Sequence, residues 1–570
     1  DLAYVDDSEE EILFLLHEMH YAQAKVEIEA QAFPEEHAVD VQVRVDLGEP
    51  CIFGRVEIVG EYDAPESKVR DAILIEEGAP YKGSVLGQTQ KELFALGIFS
   101  VVNIVPELSF DGGTVVPVRI EVSETHPKEL RIGGGLGWEN GKEEVHISAD
   151  LKNQNLFGRL IRLELENELG YASISDLDDL EFGDDVEVDE VAGQVVEVLG
   201  ESAGPVVDIS ASVVVPDIPS RFIDFEQSIG LEVGVEPGYR FSSREVSPGF
   251  VVDLDALGVG RRSNQKVEIS GGLHYRLQQF DYLEFNLDTS STRDTPLQLD
   301  FTDNYLLSSL HQELEFDSRS DVLFTREGLY GLYTLTEAGG PLGGRFSFIR
   351  ATFDQRGFIP LIRLRDKIEV TWEEMTEGSS SGRPVAPQSV RRSEGSRRLA
   401  EVLLRPTTLA GRLGGGLIVP YGDGERASVP YAERIRMGGS TDVRGWALDH
   451  LGPYVYDPDT SLDGESVAGQ SQQSDDIIPV GGLVALHASA ELRIYALNDY
   501  GLVLFTDVGN VWNEWSDMRD FTLLPSVGLG LRYVTPIGPL RVDVARRLDQ
   551  EPMYALENRW ALHISFSEAY

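Results

Sequence analysis

Trp560-Ala561-Leu562-His563-Ile564-Ser565-Phe566-Ser567-Glu568-Ala569-Tyr570 is the stretch whose reading decides the fold. Successive side chains of an extended chain point to opposite faces. Trp560, Leu562, Ile564, Phe566 and Tyr570 therefore share one face, and Ala561, His563 and Ser565 share the other. Only Glu568 interrupts the apolar row. An apolar row with aromatic ends, backed by a small and polar row, suits a strand with lipid outside and a polar lumen inside. Similar alternation recurs in Leu540-Val542-Val544, Ile209-Ala211-Val213-Val215 and Ile161-Leu163-Leu165, and helical periodicity is lost from Pro127 onward. The roughly 445 residues of this region hold about sixteen strands at roughly 25–30 residues per strand and connection, an even number as closed antiparallel membrane barrels have. The absence of a fixed internal repeat argues against a propeller. The chain has no run of eighteen apolar residues, so no transmembrane helix is expected, but a barrel strand needs only about ten residues with alternate positions apolar.

Working upstream, three further segments accompany this ending. Pro536-Ile537-Gly538-Pro539-Leu540-Arg541-Val542-Asp543 precedes it. Phe505-Thr506-Asp507-Val508-Gly509-Asn510-Val511-Trp512 lies before that, and Met437-Gly438-Gly439-Ser440-Thr441-Asp442-Val443-Arg444-Gly445-Trp446 is set in a long polar connection. In this order and ending at the terminal strand, the set resembles the BamA/TamA superfamily of outer-membrane assembly proteins. The resemblance implies that the connection folds back into the barrel and that Arg444, with Gly445, is anchored on inner-wall acids, here Glu491 and Asp507. A guanidinium suits the task because its fixed fork of donors engages carboxylates bidentately. Strand parity puts Asp507 on one face with Val503 and Phe505, which makes sense for an inner wall only if an apolar loop packs there. Glu315-Phe316-Asp317-Ser318-Arg319 with Thr325-Arg326-Glu327-Gly328 also resembles a strand-turn segment of that family, with Phe324 where the family has proline.

The first strand of the region, Lys128 to Trp138, carries Gly133, Gly134, Gly135 and Gly137. Glycine weakens a strand because it loses the most entropy and packs no side chain. Either these glycines permit close packing, or they make this strand a poor partner for Trp560 to Tyr570. A weak first-to-last seam would supply the free edge that a closed barrel otherwise lacks. The terminal strand also resembles the recognition signal of outer-membrane β-proteins, with Ser567 where glycine is common.

Residues 1–124 read differently. Ile12, Leu13, Leu15, Leu16 and Met19 have helical spacing, and two alternating runs follow, Lys25 to Ala30 and Val39 to Val45. A strand from Cys51 to Val59, helices over Pro65–Ile75 and Ser84–Leu96, and strands over Phe99–Leu108 and Val115–Val122 come next. The order β-α-α-β-β, with Gly60, Gly78, Gly97 and Phe99, resembles a POTRA domain over 48–124, and 1–47 matches the last helix and two strands of a preceding copy. The chain opens inside a module already under way, so upstream residues are expected. Such α+β sheets can accept a partner strand along an edge.

A net charge of -49 disfavours nucleic acid as a partner, since phosphates are repelled. The chain has nine Lys, a balance that fits a saline habitat or acid-rich surface loops equally. Ser175 to Ser202 holds eleven acids and no Lys or Arg, and is expected to be a solvated extracellular loop. Thr376–Arg398 and Pro453–Asp476 are the other long connections. Cys51, the single cysteine, sits in an apolar run and reads as a buried thiol. His17-Glu18-Met19-His20 lacks the His-Glu-x-x-His spacing and reads as the polar face of a helix. No nucleophile elbow, metal-ligand cluster or phosphate loop is found, so no catalytic residue, metal or cofactor is expected. The overall expectation is α+β POTRA modules over 1–47 and 48–124, followed by a transmembrane β-barrel of about 16 strands over 125–570. The resemblance implies a non-enzymatic protein of the outer membrane with its POTRA region in the periplasm. Its implied partners are unfolded outer-membrane clients, the lipid bilayer and accessory periplasmic subunits. A two-partner secretion pore for one exported protein is the alternative.

Overall fold

The computed structural model describes residues 9, 12–33, 38–108, 113–139, 142–174, 203–220, 222–237, 239–254, 267–285, 304–321, 325–361, 407–423, 428–456, 477–497, 500–535, 538–548 and 559–566. The chain divides into two compact units.

The first unit is built on residues 1–130 and takes in 151–163. Residues 12–18 are helical, and β1 (Lys25–Phe33) and β2 (Ala38–Asp46) form an antiparallel hairpin. The following module consists of β3 (Ile52–Val59), α1 (Glu66–Asp71), α2 (Gly83–Ala95), β4 (Phe99–Pro106) and β5 (Val115–Glu124). Its sheet order is β3-β5-β4, with β3 parallel and β4 antiparallel to the central strand. Val116, Val118, Ile120 and Val122 alternate along β5 into one core with Phe53, Val69, Leu93, Ile98 and Val102. Gly97 ends α2 in the left-handed region (φ 71°) with its N–H on the Phe94 carbonyl at 3.0 Å, a conformation that favours glycine. Cys51 is buried, its thiol on the Glu49 carbonyl.

The His17-Glu18-Met19-His20 segment closes the opening helix, and its polar side chains are engaged. His20 Nδ1 meets the Tyr81 carbonyl at 2.9 Å, and the His17 ring stands edge-on to Tyr81. Glu18 accepts from the Ser84 N–H at 2.6 Å and the Ser84 hydroxyl at 2.9 Å. This segment therefore stitches the opening helix to the start of α2. Burial pushes the Tyr81 phenol up to about 12 and holds the His17 imidazole below its usual value, with Glu18 acting against the latter shift.

The barrel has sixteen strands among the described residues. Its first half comprises β6 (Lys128–Glu139), β7 (Lys142–Leu156), β8 (Ile161–Ser173), β9 (Ala203–Val215), β10 (Ile223–Glu236), β11 (Tyr239–Asp253), β12 (Glu268–Phe285) and β13 (Asn304–Asp317). It continues through β14 (Gly328–Ala338), β15 (Phe348–Pro360) and β16 (Thr407–Pro420). A loop carrying the small hairpin β17 (Tyr454–Tyr456) and β18 (Ile477–Pro479) follows. The wall resumes with β19 (Val484–Leu497), β20 (Tyr500–Trp512), β21 (Leu524–Thr535), β22 (Gly538–Arg547) and β23 (Trp560–Phe566), which closes onto β6. The alternation is that of a lipid-facing wall: Leu502, Leu504, Leu529, Leu531 and Trp560 are exposed, whereas Val503, Phe505, Asp507, Arg532 and His563 are buried inside.

Strand parity fixes which end each connection leaves from. The segments 174–202 and 421–483 join strands at the end opposite the start of β6, but 361–406 joins β15 to β16 at the same end as the start of β6. Length alone therefore does not place a long connection on the outer side. The acidic run 175–202 and the stretches 376–398 and 457–476 lie outside the described residues. The turn after β13 is held by local polar bonds: Arg319 engages both oxygens of Asp317, Thr325 donates to the Asp321 carbonyl, and Gly328 adopts φ 118°.

Candidate functional site: a buried ion cluster and the barrel seam

The loop between β16 and β19 enters the lumen, and Val443, Arg444 and Trp446 are buried. Alternation along β19 puts Ser489, Glu491 and Arg493 inward, and β20 and β22 add Asp507 and the pair Arg541 and Asp543. Arg444 lies between them, 1% exposed. Its Nε and Nη2 donate to the two oxygens of Asp507 at 2.8 and 2.7 Å, a bidentate pair, and its own N–H also reaches Asp507 at 3.2 Å. Nη1 donates to Glu491 at 2.6 Å and lies 3.4 Å from Asp543, and Nη2 reaches the Ser489 hydroxyl at 3.2 Å. The guanidinium is 3.5 Å from the Phe505 ring centre, close enough for a cation–π contact. The aromatic neighbour of Asp507 is thus part of the cradle.

Gly445 is required by close approach. A Cβ there would stand 2.6 Å from Ser526 Cβ. Sequence reasoning missed several members. Asp543 binds Arg532 at 2.5 Å, Arg493 donates to Glu491 at 2.8 Å, and His563 on β23 donates from Nε2 to the Arg444 carbonyl at 2.9 Å. The signal was available in Arg541-Val542-Asp543, where two charges share the inward face. The same loop has a second foothold. Tyr431, Val429 and Val480 pack with Tyr239, Phe241, Phe280, Tyr305, Phe346 and Phe348. The Ala432 N–H donates to the Tyr282 hydroxyl at 3.1 Å, and Arg436 lies over the Tyr431 ring at 4.5 Å.

The seam residues sit as follows. β23 pairs with β22 at seven positions, from Trp560 opposite Arg546 to Phe566 opposite Leu540. With β6 it pairs at two described positions, Ile564 with Trp138 and His563 with Glu139. Trp560, Leu562 and Ile564 line its outer side, and Tyr570 lies outside the described residues. Gly133, Gly134, Gly135 and Gly137 are not among the positions seen paired with β23. Instead, three of them lie under the inward side chains of β7. A Cβ on Gly133 would be 2.8 Å from Ser148 Oγ, on Gly135 2.5 Å from His146 Nε2, and on Gly137 3.8 Å from Glu144 Cβ. Close packing accounts for Gly133 and Gly135.

A family model described as the Omp85 superfamily domain matches residues 254–567, and a POTRA model, described as a surface antigen variable number repeat, matches 52–125. The chain is 22% identical over 545 residues to the outer membrane protein assembly factor BamA of Nitratidesulfovibrio vulgaris, covering 93% of this chain and 53% of that protein. It thus spans about half the length of that curated relative. Among solved structures, BamA from Haemophilus ducreyi lacking POTRA domains 1–3 aligns with a TM-score of 0.58 at 15% identity, over 99% of this chain and 94% of that one. CdiB from Acinetobacter baumannii aligns with a TM-score of 0.52 at 12% identity, over 97% and 80%. At these identities the two structures speak to the fold.

Proposed function

Since the chain belongs to the Omp85 superfamily, we propose that it inserts β-barrel or autotransporter-type proteins into the bacterial outer membrane through the seam between β6 and β23. The barrel spans the outer membrane and the POTRA region stands in the periplasm. The observation that carries the proposal is the inequality at β23: among the described residues, seven positions pair on one side and two on the other. Unpaired backbone groups cost several kcal/mol each in hydrocarbon, so an edge held this sparingly is ready to exchange its pairing for an incoming client strand. In this reading no covalent or nucleotide chemistry is required. The driving force is the client's own strand pairing and apolar burial, and the protein lowers a local barrier.

The other assignments follow from the same reading. Arg444 and Gly445, on Glu491 and Asp507, anchor the inward loop. Residues 48–124 form one POTRA module, 1–47 the tail of another, and 125–570 the barrel. The β3 and β4 edges of the POTRA sheet receive accessory subunits or client segments. Export of a single substrate, as a two-partner secretion pore, is the second reading, and the same barrel fold is compatible with it. A neighbouring gene for one large secreted protein would speak for it.

The test is a disulfide between Trp138→Cys and Ile564→Cys, which face each other in register, in a Cys51→Ser background. Oxidation should abolish client insertion and reduction should restore it. Full activity in the locked protein would rule out the seam and favour passage through the lumen.

A further inference from the structure

The inner face of β7 carries Glu144 and His146, and the neighbouring β8 carries Glu168. His146 Nδ1 is 3.2 Å from a Glu144 oxygen and 3.7 Å from a Glu168 oxygen, and one ligand atom from each of the three lies within 4.8 Å of the others. Two carboxylates held this close repel unless a positive charge stands between them. Lys142 Nζ lies on the far oxygen of Glu144, at 3.5 Å, and 3.9 Å from Glu236. That leaves the near oxygen of Glu144 turned to the imidazole and to Glu168.

The backbone fixes the position of the ring. A side chain on Gly135 of β6 would collide with Nε2 at 2.5 Å, and one on Gly170 of β8 would stand 2.9 Å from His146 Cβ. Glycine on both neighbouring strands gives the imidazole its seat, with Nδ1 aimed at the two carboxylates. A tetrahedral ion with bonds of about 2.0–2.2 Å to nitrogen and oxygen holds its ligand atoms about 3.3 Å apart. The two separations from the imidazole, 3.2 and 3.7 Å, bracket that value, and the two carboxylate oxygens lie within 4.8 Å of each other.

We propose that Glu144, His146 and Glu168 form a binding site for a divalent transition cation, such as Zn2+, on the lumen wall one strand from the seam. An imidazole with two carboxylates selects this class over Ca2+ or Mg2+, which take all-oxygen shells. The ion would tie β7 to β8 and hold His146 down on Gly135, stiffening the strand that forms one lip of the seam.

The experiment uses the full chain, without a histidine tag, purified in detergent, stripped with a chelator and titrated with Zn2+ alone. Calorimetry should show one saturable site that weakens by more than about tenfold in His146→Ala and in Glu168→Gln, since even outer-shell partners of a metal ligand contribute roughly 10–100-fold. Heat-modifiable migration of each variant reports an intact barrel, so lost binding is not lost folding. Substitution with Co2+ should give the visible absorption of a four-coordinate ion in the parent and not in His146→Ala. Absence of saturable binding in the parent, or unchanged affinity in both variants, would overturn the site. Binding is read directly, so the result stands apart from whether the seam admits clients.

Discussion

The wall β19–β22 and the seam between β6 and β23 solve opposite problems with the same kind of strand. In the wall, long ladders are backed by a loop whose Arg444 meets three carboxylates, all buried. At the seam, two described register positions close the barrel, and glycines replace inward side chains. Buried ion pairs are poor sources of net stability, because desolvation offsets their attraction, yet breaking one is costly. They are suited to fixing a single arrangement. A short ladder beside glycines is suited to leaving one. The difference teaches that rigidity in this barrel is concentrated away from the place where strand exchange is proposed.

The sharpest way to break the contrast is at Arg444. Arg444→Ala leaves Asp507 buried without its cation, beside the Ser489 hydroxyl, and leaves Glu491 to Arg493 alone, at a cost on the order of 3–5 kcal/mol. The expected outcome is release of the loop, seen as new protease cleavage between β16 and β19, together with impaired assembly in a barrel that still folds. Arg444→Lys should fail nearly as badly, because an ammonium cannot span Asp507 bidentately. Normal assembly in both variants would show that the wall does not depend on the pair.

A smaller effect is expected at the seam's lip. Gly135→Leu drives a side chain into His146, and overpacking of this sort costs about 1–3 kcal/mol. Heat-modifiability should shift to lower temperature, and His146→Ala should restore it in the double variant. If the single variant is silent, the glycine reflects strand flexibility and not packing.

The smallest effect is in the periplasmic region. Burial depresses the His17 imidazole from its ordinary 6.5, so as pH falls the unfolded segment takes up a proton first. Its contribution to stability is complete above about pH 6.5 and is lost as pH drops through the lower folded value. Cleavage between residues 20 and 50 should therefore quicken on acidification, and His17→Gln should flatten that dependence.

Much of this was legible. Period-2 alternation ending at Phe566 marks a two-faced strand wherever it occurs, and the Arg444, Glu491 and Asp507 set lies in recognisable motifs. The parity puzzle of Val503 and Phe505 beside Asp507 disappears once the loop is in place, since the inner wall there faces protein and not water. What could not be read was the cross-strand partner. Asp543, Arg532 and His563 join the cluster through register, which the linear chain does not display. The glycines of β6 were open between packing and flexibility for the same reason: their neighbours, Ser148 and His146, come from β7. The side on which 361–406 emerges needed a strand count and not a length.

The two footholds of the inward loop have a mechanical consequence. Through Tyr431 it grips the aromatic row of β11 to β15, through Arg444 it grips β19 to β22, and the Arg444 carbonyl holds His563 of β23. The loop is a chord across that arc, and a chord resists any change in the arc's curvature. These footholds leave β6 to β10 outside the span. The bracing is thus applied to one arc of the wall, and the closing ladder falls at its border.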